Sequence, residues 1–328
     1  MKKTAFAFLL MMIMATAGFA QVVFKFSDGI SDSPLKDNVE RNVSRLLTEI
    51  NRAQQGGEAL NLSNIRIADF ARSGLTNLWR NLPFRCEFRT NVQSCLRDAT
   101  EYEIRQIPVE VMPKSNTYRG ERHKELTISF DKSGLITGVR MALDNNTYES
   151  MVRGNAQAVE DIEERRTIAK FVEDFRSFYV EKNATAIYNI FAEDALIITG
   201  RVLTPVRNKT SEVVDPRKKT IYTKQNREQY VNKLRAIFGA NKEIHVDFSD
   251  IEIIRHGSRK GFYGVRLRQK WENVGYSGKG YSDEGALFLL WDFRDKEKPL
   301  IHVRAWTPWE NVMGQDDLLM PEDFKVHQ

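Results

Sequence analysis

Cysteine is nearly absent: Cys86 and Cys95 are the only two in 328 residues, and no CxxC pair exists to carry disulfide exchange. The five histidines (His123, His245, His256, His302 and His327) are scattered, with no HxH or HExxH spacing, so no metal centre and no cofactor is expected. A GxSxG nucleophile turn is missing too. Gly278-Lys279-Gly280 reads as part of a hairpin loop and not as a phosphate cradle. A strong charge excess is also lacking. Lys and Arg number 49 against 44 Asp and Glu, and no segment concentrates them enough to suggest a nucleic-acid partner.

Only the N-terminus has a long apolar run. Lys2 and Lys3 precede the apolar stretch Ala5–Ala17, and Gly18-Phe19-Ala20 places small residues at the third and last positions before Gln21. That is the layout of a secretory signal, too short in its apolar part to span a bilayer comfortably. Residues 1–20 are therefore expected to be removed before Gln21. What remains is an exported chain, periplasmic or secreted, soluble and with no transmembrane segment. Losing Lys2 and Lys3 lowers the formal charge from +5 to +3. In an oxidising compartment Cys86 and Cys95 invite a disulfide. The alternative is two separately buried thiols, and spacing does not choose between them.

About 300 mature residues suffice for two domains. Residues 21–33 read as a short tail. Leu35, Val39, Val43, Leu46, Leu47 and Ile50 follow helical spacing, and Gly56-Gly57 ends that helix. A weaker helical stretch covers 67–82. Residues 104–112 are rich in branched side chains, and 125–131 and 135–143 alternate about the turn Lys132-Ser133-Gly134, as in a hairpin with one buried face. This defines an N-terminal α+β domain, 35–150. Polar residues 145–160 read as the boundary, near 155.

Ile168, Phe171, Val172, Phe175, Phe178 and Tyr179 make the apolar stripe of a helix over 162–182. A short helix over 184–191, a strand over 195–202, a charged loop 207–219 and a helix over 223–238 come next. Four strands complete the domain, near 243–254, 261–273, 284–294 and 299–307, with 313–328 as a C-terminal tail. In the first of these strands Ile244, Val246 and Phe248 alternate, then Ile251 and Ile253 take the opposite phase. Such a slip predicts a β-bulge at Ser249-Asp250. In the third, Leu287, Leu289, Trp291 and Phe293 oppose Phe288 and Leu290, so both faces should be covered.

That order of elements, with the strand pair from Tyr281 to Trp306, resembles the nuclear transport factor 2-like superfamily (SnoaL-like proteins and ketosteroid isomerases among them). The resemblance covers residues 160–312. It implies a cystatin-like cone, a curled sheet wrapped around the long helix over 162–182 and leaving a conical pocket. The first domain could follow a similar plan. Tyr188, Tyr263, Trp271 and Trp291 would line the pocket. Isomerases of this fold move a proton with a pocket carboxylate, and Asp194 and Asp250 are the acids near the cone mouth, with Tyr188, Tyr263 and Tyr281 as donors. Neither acid matches a family motif, and each serves equally well as a turn residue.

On the sheet's other side, Arg266, Arg268 and Lys270 alternate outward from one strand, and His302, Arg304 and Trp306 from another. Together they would form a basic face with an aromatic anchor, suited to a protein partner or a homodimer. A solvated face of long side chains is the plainer reading. The expected function is a non-enzymatic binding or assembly protein, taking a small apolar or peptide-like ligand in the cone or a partner on the sheet. The alternative is an isomerase or dehydratase with a pocket carboxylate as general base.

Overall fold

The computed structural model describes residues 21–97, 101–114, 118, 120–153, 161–203, 219–312, 314 and 317–324. The expected signal segment, the boundary near 155 and residues 207–218 of the charged loop lie outside the described residues. Among the described residues no helix is long and apolar enough to cross a membrane.

The architecture is α+β, with two six-stranded sheets. The first half begins with β1 (Val23–Asp28), where a tail was expected; Phe24 and Phe26 are buried and β1 pairs in parallel with β3. Helix α1 (Ser33–Gly56) starts at the Asp32 cap and ends on left-handed Gly57. Helix α2 (Asp69–Asn81) follows, then β2 (Phe84–Cys86), β3 (Arg89–Arg97), β4 (Glu101–Val111), β5 (His123–Asp131), β6 (Ile136–Met141) and α3 (Asn145–Arg153). Helix α3 occupies part of the expected boundary. Its polar sequence hides three buried residues, Tyr148, Met151 and Val152.

The second half is α4 (Ile162–Val180), α5 (Ala184–Ile190), β7 (Phe191–Val202), β8 (Thr220–Gln225), α6 (Arg227–Ala240), β9 (Asn241–Arg255), β10 (Phe262–Gly275), β11 (Gly280–Asp292) and β12 (Leu300–Pro308). Helix α6 starts four residues later than the apolar spacing suggested, because Asn226 and Gln229 form a reciprocal capping box and leave 220–225 to a strand. The strands run β8-β7-β12-β11-β10-β9, with β7 and β12 parallel and the last four an antiparallel meander. The two halves are wired differently. In the first, the opening strand pairs with β3, which begins the meander, whereas in the second β7 pairs with β12, which ends it. The expected bulge is present: pairing slips between Arg266 and Arg268, and Asp250 takes a φ of 50°. It returns Ile251 and Ile253 to the same core as Ile244, Val246 and Phe248.

Buried apolar side chains from both halves form one continuous cluster. At its centre lies Glu173 on α4, fully buried. Arg105 of β4 donates to both its oxygens at 3.0 Å, Arg140 of β6 donates from Nε at 3.1 Å, and the Leu143 amide donates at 2.6 Å. Glu103 pairs with both arginines, and the Arg105 guanidinium also lies 3.6 Å from the centre of the Tyr148 ring. The second face of the β5–β6 hairpin, expected to be solvated, is therefore buried against α4; Arg140 donates to Ser129, itself 2 % exposed. Asn81 adds a second tie between the halves. Its amide donates to the Ile244 carbonyl at 2.8 Å and accepts from the Ile244 N–H at 3.0 Å, covering the edge strand β9.

Burial alone would raise the Glu173 carboxyl, but Arg105 and Arg140 outweigh it and hold the group at about 2, against 4.5 for an ordinary Glu. Its contribution to stability is complete above pH 4.5 and is lost as pH falls toward 2. Replacing Glu173 with Gln should cost about 3–5 kcal/mol, because two buried arginines lose their counter-charge. Urea melts at pH 7 and pH 3 would show it, with the gap between variant and native protein narrowing at the lower pH. Glu181, at the C-terminus of α4, behaves oppositely. Burial, aided by Asp174, pushes its carboxyl up to about 8. Stability is then highest below pH 4.5 for this group and falls as pH rises through 8. Glu181→Gln should raise the melting temperature at pH 8 and leave it nearly unchanged at pH 5, which a thermal scan at both values checks.

Candidate functional site

The two residue sets expected to share a basic face are separated by the sheet. The pairing of β11 with β12 slips by one residue between Leu290 and Trp291, as does that of β12 with β7 between Ile301 and Val303. His302 sits at this irregularity, and a one-residue slip reverses every side chain beyond it. Val303 and Ala305 therefore lie outward, packed with Phe262, Phe288 and Leu290, while Arg304 and Trp306 turn inward. Trp306 is 6 % exposed, and its indole crosses two glycines. A Cβ on Gly285 would come within 2.4 Å of that ring, and one on Gly200 within 2.8 Å.

Arg266, Arg268 and Lys270 do face outward, but acids already occupy them. Arg266 pairs with Glu252, Arg268 with Glu284 at 2.6 Å and Asp250 at 3.8 Å, and Lys270 with Glu272 at 3.0 Å. His302 lies 3.4 Å from Asp194 and 3.7 Å from Asp292. The two candidate acids are at the surface, with side-chain exposures of 52 % for Asp194 and 62 % for Asp250.

Inside the cone, aromatic rings pack on one another. Trp291 is fully buried against Phe171, Phe175 and Phe293, Trp271 meets Tyr179 edge-on at 5.8 Å, and Tyr263 lies 6.0 Å from Phe293. Trp291 and Tyr263 are core, and Trp271, partly buried, packs against it. Tyr188 is half-buried on α5, with the Arg227 guanidinium 4.2 Å from its ring centre. Tyr281 is exposed and donates to Asp283. Cys86 and Cys95 are both free and buried, and burial pushes each thiol up to about 12. Cys86 pairs opposite Val109 and Cys95 opposite Ile104 on β4. That spacing of five residues, roughly 16 Å along a strand, is far beyond disulfide reach.

One open space of the second half lies on the outer face of its sheet. Beyond β12 the chain turns through Trp309–Asn311 and Pro321–Asp323 and folds back over the sheet, so residues 317–324 are no free tail. Phe324 stacks on Phe288 at 5.4 Å, and Leu319 packs on the same outer cluster. Between this returning segment and the strands runs a groove of about 510 Å³. Phe288, Ala286 and Ala305 form its floor, Trp309 and Leu319 its far wall, and Tyr222 and Arg266 its rim. Tyr222 is fixed by a 2.7 Å hydrogen bond to Thr307, and Trp309 by the Arg268 guanidinium 4.7 Å from its ring centre. The volume falls within the usual range for small-molecule sites. Trp309 and Leu319 escaped the sequence reading because Trp309 follows the last expected strand and Leu319 lies in the expected tail, 313–328. The signal that could have found the groove is the apolar outer face of β11, carried by Phe288 and Leu290.

A second cavity lies between the halves, where Tyr118, Lys124, Arg176, Glu181, His245 and Asp247 converge. Its free space is about 30 Å³, enough for one or two waters and too small for an organic substrate.

No protein-family model matches the chain, and no curated protein does. Solved structures do. A calcium/calmodulin dependent protein kinase II association domain, so described, from Xanthomonas campestris is 15% identical and aligns over 47% of this chain and 92% of its own, with a TM-score of 0.32. A nuclear transport factor 2-like superfamily protein from Salmonella enterica is 9% identical over 43% of this chain and 88% of its own, TM-score 0.32. A protein with a cystatin-like fold from Caulobacter vibrioides is 13% identical over 46% and 89%, TM-score 0.30. Each of these likenesses covers somewhat less than half of the chain, and function has to be argued from the site.

The inward position of Trp306 makes a direct prediction. Gly285→Ala should destabilise the protein by about 1–3 kcal/mol through overpacking against the indole. Gly239→Ala, near the end of α6 with open space around it, should be neutral or slightly stabilising. Chemical denaturation of the two variants side by side decides it.

Proposed function

We propose that this chain is an exported, non-enzymatic binding protein that holds a small apolar ligand in the outer-face groove between the second sheet and its returning C-terminal segment. The observation that carries this reading is the groove itself: about 510 Å³, apolar in its floor and walls, with Trp309 and Tyr222 positioned by their own polar contacts before any ligand arrives. Preorganised aromatic walls reduce the entropy lost on binding. Two further observations support it. Rings fill the space about Trp291 and Trp271 inside the cone, and the carboxylates of Asp194 and of Asp250, which borders the groove beside Arg268, are more than half exposed, unlike an enclosed acid tuned for general-base work.

The ligand class follows from the lining. The apolar surface is provided by Phe288, Leu319, Trp309 and two alanines; Arg266 at the rim is neutralised by Glu252, and Asp250, beside Arg268, and Asp317 border the groove. A compact neutral molecule with one polar end fits such a site. Export before Gln21 belongs to the same proposal, and N-terminal sequencing of the protein from the extracytoplasmic fraction tests it.

Nile red serves as the probe for the groove. It should bind the mature chain saturably with one site, and Trp309→Ala should weaken it at least tenfold, in line with the loss of a buried aromatic wall. Arg85→Ala, on the opposite half of the molecule, should leave it unchanged. Binding that is insensitive to Trp309, or a dimer whose interface covers the groove, would sink the reading.

A further inference from the structure

We propose that the inner face of the second sheet carries a separate site for a small organic monocarboxylate, centred on the Arg304 guanidinium and the paired hydroxyls of Tyr179 and Tyr230.

Arg304 is 5 % exposed. Its Nη2 donates a long hydrogen bond to the Gln269 side-chain oxygen at 3.4 Å, the Tyr179 hydroxyl is a second hydrogen-bond neighbour, and its Nε and Nη1 have no hydrogen-bond partner among the described residues. The guanidinium lies 5.2 Å from the centre of the Tyr230 ring, and the Tyr230 and Tyr179 hydroxyls, 2.6 Å from one another, bear on it more than Asp283 does. Arg105 and Arg140, by contrast, share Glu173 and Glu103, while buried Arg176 donates to the Met141 carbonyl and lies near the charges of Asp247 and Glu173. A buried guanidinium without a paired carboxylate is costly to maintain, and the cost is removed by a negative group brought to it. Neutral water could meet the N–H groups but could not balance the charge.

The surroundings narrow the class. One guanidinium calls for one negative charge, and the flanking positions in its row across the inner face are uncharged: Ile197 on β7, Gln225 on β8, and Leu289 on β11. A dianionic phosphate would bring charge that nothing there offsets. Aromatic rings of Tyr179, Tyr230 and Phe191 stand alongside, the last two edge-on at 5.8 Å, and suit an organic body. A carboxylate also accepts from planar guanidinium N–H and from phenolic O–H together. Gln225, whose side-chain oxygen is likewise buried and unpartnered, provides an acceptor two strands away for a donor on the ligand.

The probes are sodium benzoate and sodium acetate, with benzamide as the neutral analogue, titrated calorimetrically into the mature chain. A carboxylate is expected to bind with one site, and benzamide at least tenfold more weakly. Arg304→Met should abolish binding. Tyr230→Phe, which keeps the ring and removes only the hydroxyl, should weaken it about tenfold and provides the reading if Arg304→Met does not fold. Trp309→Ala should have no effect, which separates this site from the outer groove. The proposal is overturned if neither carboxylate binds, if benzamide binds as well as benzoate, if Tyr230→Phe binds as tightly as the native chain, or if a crystal grown in benzoate shows waters alone on Nε and Nη1.

Discussion

A carboxylate with no solvent exposure, held by two arginines from a different sheet, fixes how the halves of this molecule meet. Glu173 lies on α4, the helix around which the second sheet curls, yet its partners Arg105 and Arg140 belong to the first sheet. Buried ion pairs of this kind contribute little net stability over well-packed apolar residues. Their effect is on geometry: any sliding of one half against the other would leave a charge stranded in the core. The apolar contacts between the halves are permissive by comparison, since they tolerate small shifts. Asn81 applies the same restriction to the backbone by reading both the N–H and the carbonyl of Ile244.

This constraint explains an oddity of α4. Its apolar stripe is plain in the sequence, and it packs against the second sheet through Phe171, Phe175 and Tyr179. Arg165, Glu173, Arg176 and Ser177 are buried too, so the helix is enclosed on its polar side as well. A polar stripe at helical spacing ordinarily faces water. Nothing local to α4 shows that another sheet covers it, because the partners of Glu173 and Arg176 come from residues 105–143, far away in the chain. For the same reason the buried second face of the β5–β6 hairpin, with Thr127 and Ser129, could not be read from its alternation.

The two strand irregularities illustrate what periodicity can and cannot show. In β9 the apolar set changes phase within a run of branched residues, and that change is visible because Ile244, Val246 and Phe248 are separated from Ile251 and Ile253 by polar residues. In β12 apolar or aromatic residues occupy both phases: Ile301, Val303 and Ala305 in one, Trp306 in the other. With large side chains on both tracks, a slip at His302 leaves no mark in the pattern, and its position is determined by pairing with β7 and β11. The basic face assembled from strict alternation therefore mixed two sides of one sheet. The outer groove was half legible: Phe288 and Leu290 showed that the outside of β11 needed a cover, but that the cover is the chain's own C-terminal segment depends on a long return that short-range patterns do not encode.

Charge count and charge availability point in opposite directions here. Arg266, Arg268 and Lys270 are the conspicuous cations of the sheet, and each is matched by an acid on the strand beside it or next in its own strand, in water where such pairs are weak and easily exchanged. Arg304 is inconspicuous in the sequence, one cation in an apolar strand, yet the slip at His302 carries it to the inside, where the dielectric is low and two hydroxyls and a ring are its neighbours. An unmatched charge in that setting interacts far more strongly with an incoming anion than three half-buried cations that already have acidic partners. The single-residue irregularity in β12 therefore does two things at once. It leaves Val303 and Ala305 as the outward side chains of β12, and it turns Arg304 inward. Both of the binding surfaces proposed above would follow from the same slip in register.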